Sequence, residues 1–229
     1  MSDLLLLHGA LGARTQLDPL AEALRPSFHV HQLDFEGHGN AAPRDRVFRM
    51  QHFGENVIDL IDSLGIERVR LFGYSMGGYV AVYLAMTRPD RVDRVVTLGT
   101  KFRWDPATAA RDVARLNPHA IRAKVPHFAE TLAARHDGAG GWERVLADTA
   151  ELLRDLGDNP LLTDATLAAI TQPVRVIVGD QDATVSVEES TTVANMLAAG
   201  SLTVLPNTAH PVEQVTVDVL APVLVEFLQ

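Results

Sequence analysis

The stretch Leu71-Phe72-Gly73-Tyr74-Ser75-Met76-Gly77-Gly78-Tyr79-Val80 constrains the fold more than any other part of this chain. The apolar run from Val69 to Phe72 reads as a short buried strand, and a helical pattern follows from Gly77 to Met86. Between them stands Gly73-x-Ser75-x-Gly77. This is the pattern of a nucleophile elbow, a strand that turns sharply into a helix with a serine at the apex. A serine held in such a turn occupies a strained backbone region. Strand and helix nearly touch there, so the flanking residues must be small, and glycine, with no Cβ, meets that need at 73 and 77. The helix N-terminus directs backbone N–H groups at the apex, which suits a developing negative charge. An ordinary serine in a glycine-rich turn would match the same pentapeptide, so the rest of the chain must decide.

With 229 residues the chain is long enough for one substantial α/β domain with its own core. The net charge of −9 argues against nucleic acid and anionic membrane as partners. The absence of cysteine excludes disulfides, thiolate metal sites and a cysteine nucleophile. No apolar run approaches the ~20 residues of a membrane span. The segment Met1 to His8 has no basic region and reads as a buried strand rather than a signal peptide, so a cytoplasmic location is expected.

In chain order, Leu4 to Leu7 reads as the first strand, leading into the small-residue loop His8-Gly9-Ala10-Leu11-Gly12. Asp18 to Leu24 has a helical pattern, and Phe28 to Asp34 alternates as a second strand. Met50 to Leu64 has helix spacing. The elbow strand follows, then Val92 to Leu98 as a strand closed by Gly99-Thr100. From 101 to 170 there is no strand signal, only the helical stretches Asp105–Leu116, Pro126–His136 and Trp142–Leu156. Val174 to Gly179 and Ser201 to Leu205 are the last strands, and Val215 to Leu228 is a closing helix bent at Pro222. Strands alternating with helices predict a parallel sheet with helices on both faces. Residues 1–100 and 171–229 then form the core, and the helical block 101–170 is inserted over one end of the sheet.

In open parallel sheets ligands bind beyond the carboxyl ends of the strands. Four segments fall there: His8-Gly9-Ala10, Ser75, Asp180 with Asp182, and Asn207-Thr208-Ala209-His210. A serine hydroxyl attacks only when a base takes its proton and a carboxylate orients that base. Ser75 supplies the hydroxyl, and of nine histidines only His210 follows the last strand. Asp180 and Asp182 both suit the acid.

Taken together these segments resemble the α/β-hydrolase superfamily over nearly the full length. The matching pieces are His8-Gly9, Asp34-Phe35-Glu36-Gly37-His38-Gly39, Gly73-Tyr74-Ser75-Met76-Gly77-Gly78, Gly179-Asp180-Gln181-Asp182 and Ala209-His210. The resemblance implies an α/β-hydrolase fold with a helical cap at 101–170. It implies a mostly parallel sheet of about six strands, because the superfamily's opening hairpin is missing, which exposes a possible pairing edge. It places the acid at Asp182 and leaves Asp180 as a turn residue bonding its own backbone. The oxyanion hole would use the backbone N–H groups of Met76 and Ala10. Leu11, Tyr74, Phe102 and Trp104 are the candidates for the substrate pocket, with Phe35, Tyr79, Phe128 and Trp142 behind them.

The resemblance implies a serine hydrolase of small carboxylic esters, needing no cofactor and no metal and taking a small-molecule substrate. Two alternatives stay open. The elbow with His8-Gly9-Ala10-Leu11-Gly12 also resembles the menaquinone-pathway synthase, which implies a lyase or carbon–carbon hydrolase on the same triad. That family carries an arginine where this chain has Tyr79, so Arg103 or another cap cation would have to bind its carboxylate. Some triad-bearing members are instead small-molecule receptors that signal through cap movement.

Overall fold

The computed structural model describes residues 1–229, and its centre is one six-stranded sheet whose paired strands all run parallel. The strands are β1 (Ser2–Leu7), β2 (Phe28–Gln32), β3 (Val69–Tyr74), β4 (Val92–Leu98), β5 (Val174–Gly179) and β6 (Gly200–Leu205), in the order β2-β1-β3-β4-β5-β6. The core helices are α1 (Asp18–Leu24), α2 (Met50–Ser63) and α3 (Met76–Thr87), joined after the inserted block by α9 (Val187–Met196) and α10 (Val217–Leu228). The block itself contains α4 (Pro106–Val113), α5 (Pro118–Lys124), α6 (Pro126–Arg135), α7 (Trp142–Asp158) and α8 (Asp164–Ala168).

Strand alternation sorts the core into two layers. Leu5, Leu7, Val69, Leu71, Val95, Val174 and Val176 pack with α2, α3 and α9. Leu4, Leu6, Phe72, Tyr74, Val96, Leu98 and Ile177 pack with α1 and α10. The register sets Leu7 opposite Gly73, Tyr74 opposite Leu98, and Gly179 opposite Leu205, so the carboxyl ends of five strands finish at one level. The loops that follow therefore share a rim.

Several elements begin or end a residue or more from where the periodicity places them, and three of these bear on the loops. The strand expected to reach Asp34 ends at Gln32, and Asp34 instead serves the loop, its carboxylate accepting the N–H groups of Arg14 at 2.7 Å and Asn40 at 3.1 Å. The helix expected over 105–116 ends at Val113, and the closing helix begins at Val217 after a short turn at Val212–Gln214.

Several contacts hold the inserted block to the core, among them three ties. The Tyr79 hydroxyl on α3 accepts the N–H groups of Leu161 at 3.1 Å and Leu162 at 3.0 Å, where the block returns towards β5. Glu189 on α9 accepts the N–H groups of Phe102 and Arg103, where the block leaves β4. The third tie is imidazole. His136, just past α6, accepts the Gly39 N–H at Nδ1 (3.0 Å) and donates from Nε2 to the Leu11 carbonyl (3.0 Å).

His136 belongs to a buried cluster with His38 and His8, the ring centroids lying 5.8 Å and 5.3 Å apart in turn. His8 accepts the Phe35 N–H at Nε2 (3.1 Å) and donates from Nδ1 to the Gly9 carbonyl (2.8 Å), which requires the neutral ring. Burial drives its pKa down to about 4, outweighing the opposing pull of the Gly9 bond and of Asp34. Burial likewise lowers the pKa of His38, with His8 adding to it, and that of His136.

Two predictions follow from these ties. Tyr79→Phe strands two backbone donors and should lower the unfolding free energy by about 1–3 kcal/mol, read from urea denaturation. The imidazoles make the fold acid-sensitive in a defined window. In the unfolded chain each titrates near 6.5, whereas the native rings stay neutral. The unfolded state therefore binds more protons below pH ~6.5, and native stability falls as pH drops from ~6.5 towards 4, where His8 itself protonates. His8 alone accounts for about 3 kcal/mol across that window. Urea midpoints that stay level from pH 7 to pH 4.5 would contradict this.

Candidate active site

The turn between β3 and α3 is as tight as the glycine spacing requires. Ser75 has φ +51° and ψ −115°, a region that side-chain-bearing residues seldom occupy. A Cβ on Gly73 would run into the Gly77 and Gly78 backbone, and one on Gly77 would come within 2.6 Å of the His8 carbonyl oxygen. The β1 loop therefore lies directly against the elbow. On the same side, a Cβ on Gly9 would sit 3.2 Å from the Ser75 Cβ. Ser75 is held from β4 as well: its N–H donates to the Leu98 carbonyl at 2.8 Å, and the Thr100 hydroxyl donates to its carbonyl at 3.0 Å.

The loops after β5 and β6 are packed together in the same way. Gly179 lies against the Thr208 backbone, and the Gln181 N–H donates to the Thr208 carbonyl at 3.1 Å. The Asp182 side chain is buried, only 2% of it exposed. Its Oδ1 accepts the N–H groups of Thr184 at 2.7 Å and Val185 at 2.9 Å, and its Oδ2 faces His210 Nδ1 at 2.7 Å. Burial opposes ionisation of this carboxyl, but the His210 bond and charge together with the two backbone donors outweigh it and hold the pKa below the usual aspartate range. The carboxylate accepts from Nδ1–H, which leaves Nε2 of the neutral ring as the lone-pair nitrogen. Gly99, at φ +58°, backs this pair; a Cβ there would lie 3.1 Å from Asp182 Oδ2 and 3.2 Å from His210 Nδ1.

Asp180 does not bond its own turn. Its Oδ1 accepts the Thr208 N–H at 3.2 Å, so it ties the loop that carries His210.

A cavity of about 140 Å³ opens on Ser75. The core lines it with Ala10, Met50, Met76, Tyr79 and Thr184, and the inserted block with Lys101, Trp104, Asp112, Leu152 and Leu153. Ala10, Ser75 and Met76 all line this one cavity. Of the four pocket candidates, only Trp104 stands in this lining. Tyr74 points to the opposite layer, its ring 5.4 Å from that of His210. Phe102 is fully buried in the core, and Leu11 presents its carbonyl to Arg135 and His136. Arg103 is engaged with Asp164 and the Met196 sulfur, away from the cavity lining. Sequence reasoning did not reach Lys101, Asp112, Met50, Leu152, Leu153 or Thr184. The signal for Lys101 was its place three residues past the end of β4, at the same rim as the other loops.

The comparisons with known proteins come down on the same fold. A family model described as the alpha/beta hydrolase fold matches residues 4–156. The chain is 26% identical over 223 residues to an (E)-2-((N-methylformamido)methylene)succinate hydrolase of Acinetobacter baylyi, covering 91% of this chain and 83% of that one. It is 31% identical over 97 residues to esterase YbfF of Escherichia coli, a match covering 42% of this chain but only 38% of the relative. Among solved structures, a thermophilic esterase from Thermogutta terrifontis superposes with a TM-score of 0.80 at 25% identity, over all of this chain and 89% of that one. No helix of the protein is long and apolar enough to cross a membrane. With the family model spanning most of the sheet, the elbow and much of the inserted block, the chain belongs to the α/β-hydrolase fold family.

Proposed function

We propose that the protein is a serine hydrolase that cleaves small carboxylic esters through an acyl-enzyme. The observation that carries this reading is the 2.7 Å contact between His210 Nδ1 and a buried, ionised Asp182, on the rim where Ser75 is presented by its elbow. Asp182 fixes the ring so that Nε2 faces outward as a base and steadies the imidazolium once it forms. Ser75 Oγ attacks the ester carbonyl while His210 Nε2 takes its proton. The carbonyl oxygen becomes an oxyanion against the N–H groups of Ala10 and Met76. As the carbonyl re-forms, the C–O bond to the alcohol breaks and His210 returns the proton to the leaving oxygen. Water then attacks the acyl-enzyme, gives its proton to His210, and Ser75 leaves with that proton as the acid departs.

Relatives support an ester or a related acyl bond as the target. Those similar to this chain include the esterase of E. coli, a pimeloyl-[acyl-carrier protein] methyl ester esterase and 3-oxoadipate enol-lactonase 2 of A. baylyi. The cavity limits the size. A dry apolar cavity on the order of 150 Å³ holds one benzene-sized molecule, so a short acyl group fits here. The lyase alternative finds no support at position 79, because the Tyr79 hydroxyl is committed to the backbone of Leu161 and Leu162.

A burst of p-nitrophenol from p-nitrophenyl acetate should accompany acylation and vanish in Ser75→Ala. Steady-state turnover in that variant should fall by about 10³-fold or more, leaving only what the oxyanion hole and binding supply. Asp182→Asn keeps the shape but offers the ring the wrong partner, and should lower kcat by about 10³–10⁴-fold. Full activity in Ser75→Ala would overturn the reading.

A further inference from the structure

The cavity beside Ser75 is lined mostly by apolar side chains, and its only charged residues, Lys101 and Asp112, come from the inserted block. Lys101 follows β4 and Asp112 sits near the end of α4, and their side chains meet in an ion pair that is 14% and 18% exposed. The Lys101 ammonium also lies 5.2 Å from the Trp104 ring centroid, and the Trp104 indole N–H donates to the Lys101 carbonyl at 3.2 Å. Aromatic face and backbone bond together aim the lysine stem along the cavity wall.

A largely buried ion pair is a poor way to stabilise a fold, since desolvation offsets most of the attraction. Its setting here suggests another use. Asp112 is shared: its Oδ2 takes Lys101, and its Oδ1 lies 3.8 Å from Arg115, an exposed residue one turn on. Arg115 stays outside the cavity lining and draws on the Asp112 charge from the solvent side, which leaves Lys101 as the one cation facing the cavity. Lys101 has three N–H donors, and Asp112 is its one hydrogen-bonded acceptor. An ammonium with donors to spare, facing the space beside the nucleophile, is a binding point for an anion.

We propose that the substrate is an ester whose acyl group ends in a carboxylate, and that Lys101 binds that carboxylate. The inference rests on the ester-hydrolase reading of the same cavity. The charge belongs on the acyl side because the acyl group stays attached to Ser75 through both half-reactions, whereas the alcohol leaves after the first. A carboxylate suits the site better than a phosphate dianion, because a single ammonium already shared with Asp112 has too little charge to balance two. The small volume restricts the acyl chain to about the length of succinate, given that on the order of 150 Å³ holds a benzene-sized group.

The test compares monoethyl succinate with ethyl valerate, its near-isosteric neutral counterpart, by pH-stat titration. The wild-type kcat/KM should favour the charged ester by about tenfold or more, as one charge-assisted contact supplies. Lys101→Met should bring that ratio to about one or below, and Lys101→Arg should keep most of it. Asp112→Asn, which frees the ammonium, should raise it. A role confined to folding would shift thermal unfolding in these variants without moving the ratio. A wild-type ratio near one, or a ratio unchanged in folded Lys101→Met, overturns the proposal. If Lys101→Met does not fold, an unchanged or lower ratio in Asp112→Asn overturns it. Calorimetric titration of Ser75→Ala with monoethyl succinate separates the two readings. Binding there without turnover by the wild type sinks only the hydrolase reading, and absence of binding sinks this one.

Discussion

Ser75 occupies a backbone conformation that costs of order 1–3 kcal/mol, and most of the architecture around it can be understood as what holds it there. The strain is not relieved locally. It is clamped from β4 by the Leu98 carbonyl and the Thr100 hydroxyl, and from β1 by the loop whose His8 presses on Gly77 and whose Gly9 presses on Ser75. Those contacts exist because the parallel register ends five strands at one level. A one-residue slip in β3 would exchange the faces of its side chains and carry the serine away from the rim. The elbow, the register and the missing Cβ atoms are therefore a single constraint seen at three scales.

The same economy governs the buried histidines. A ring that accepts one backbone N–H and donates to one carbonyl satisfies two groups in a loop too irregular to satisfy them itself. His8 does this for Phe35 and Gly9, and His136 for Gly39 and Leu11. The first shapes the loop that presents Ala10; the second fastens the inserted block to it. Neither ring can be protonated without losing the bond it accepts, which is why burial keeps them neutral rather than charged. The acid-sensitive part of the fold is thus also the part that places Ala10 next to Ser75.

Much of this was legible in the sequence because it rests on patterns of period two and on punctuation. β1 carries an unbroken run of leucines, β2 alternates, the other strands are rich in β-branched and apolar residues, and the helices α1, α2 and α7 carry a clear apolar face. Two short helices of the inserted block, α5 and α8, and the helix α9 went unread. The first two span seven and five residues, too few for a helical period to declare itself. Residue faces in the pocket were harder still. Tyr74 stands next to Ser75 in sequence, yet in β3 it shares the parity of Phe72 and so packs on the α1 and α10 side of the sheet. Alternation along the strand holds that information. Phe102 and Trp104 lie in no strand, and nothing in their spacing distinguishes the one buried in the core from the one lining the cavity. Lys101 and Asp112 meet only because two segments of the block fold onto each other, a contact no local pattern encodes.

The two aspartates after β5 show how little separates a working group from a supporting one. They are two residues apart on one tight turn, and each carboxylate binds the loop that carries His210. Asp180 accepts the Thr208 N–H and so fixes where the loop lies; Asp182 reaches the imidazole itself and so fixes how the ring is turned. The difference is made by what surrounds Asp182. Its second oxygen is saturated by the Thr184 and Val185 N–H groups, which pin the carboxylate, and Gly99, with no Cβ, leaves room beside the Asp182–His210 pair. Exchanging the two roles would require Asp180 to displace a backbone donor and enter a space already filled. In the proposed reaction the acid is therefore chosen by the shape of the rim more than by the chemistry of the residue, and the chain needs both carboxylates to set one base.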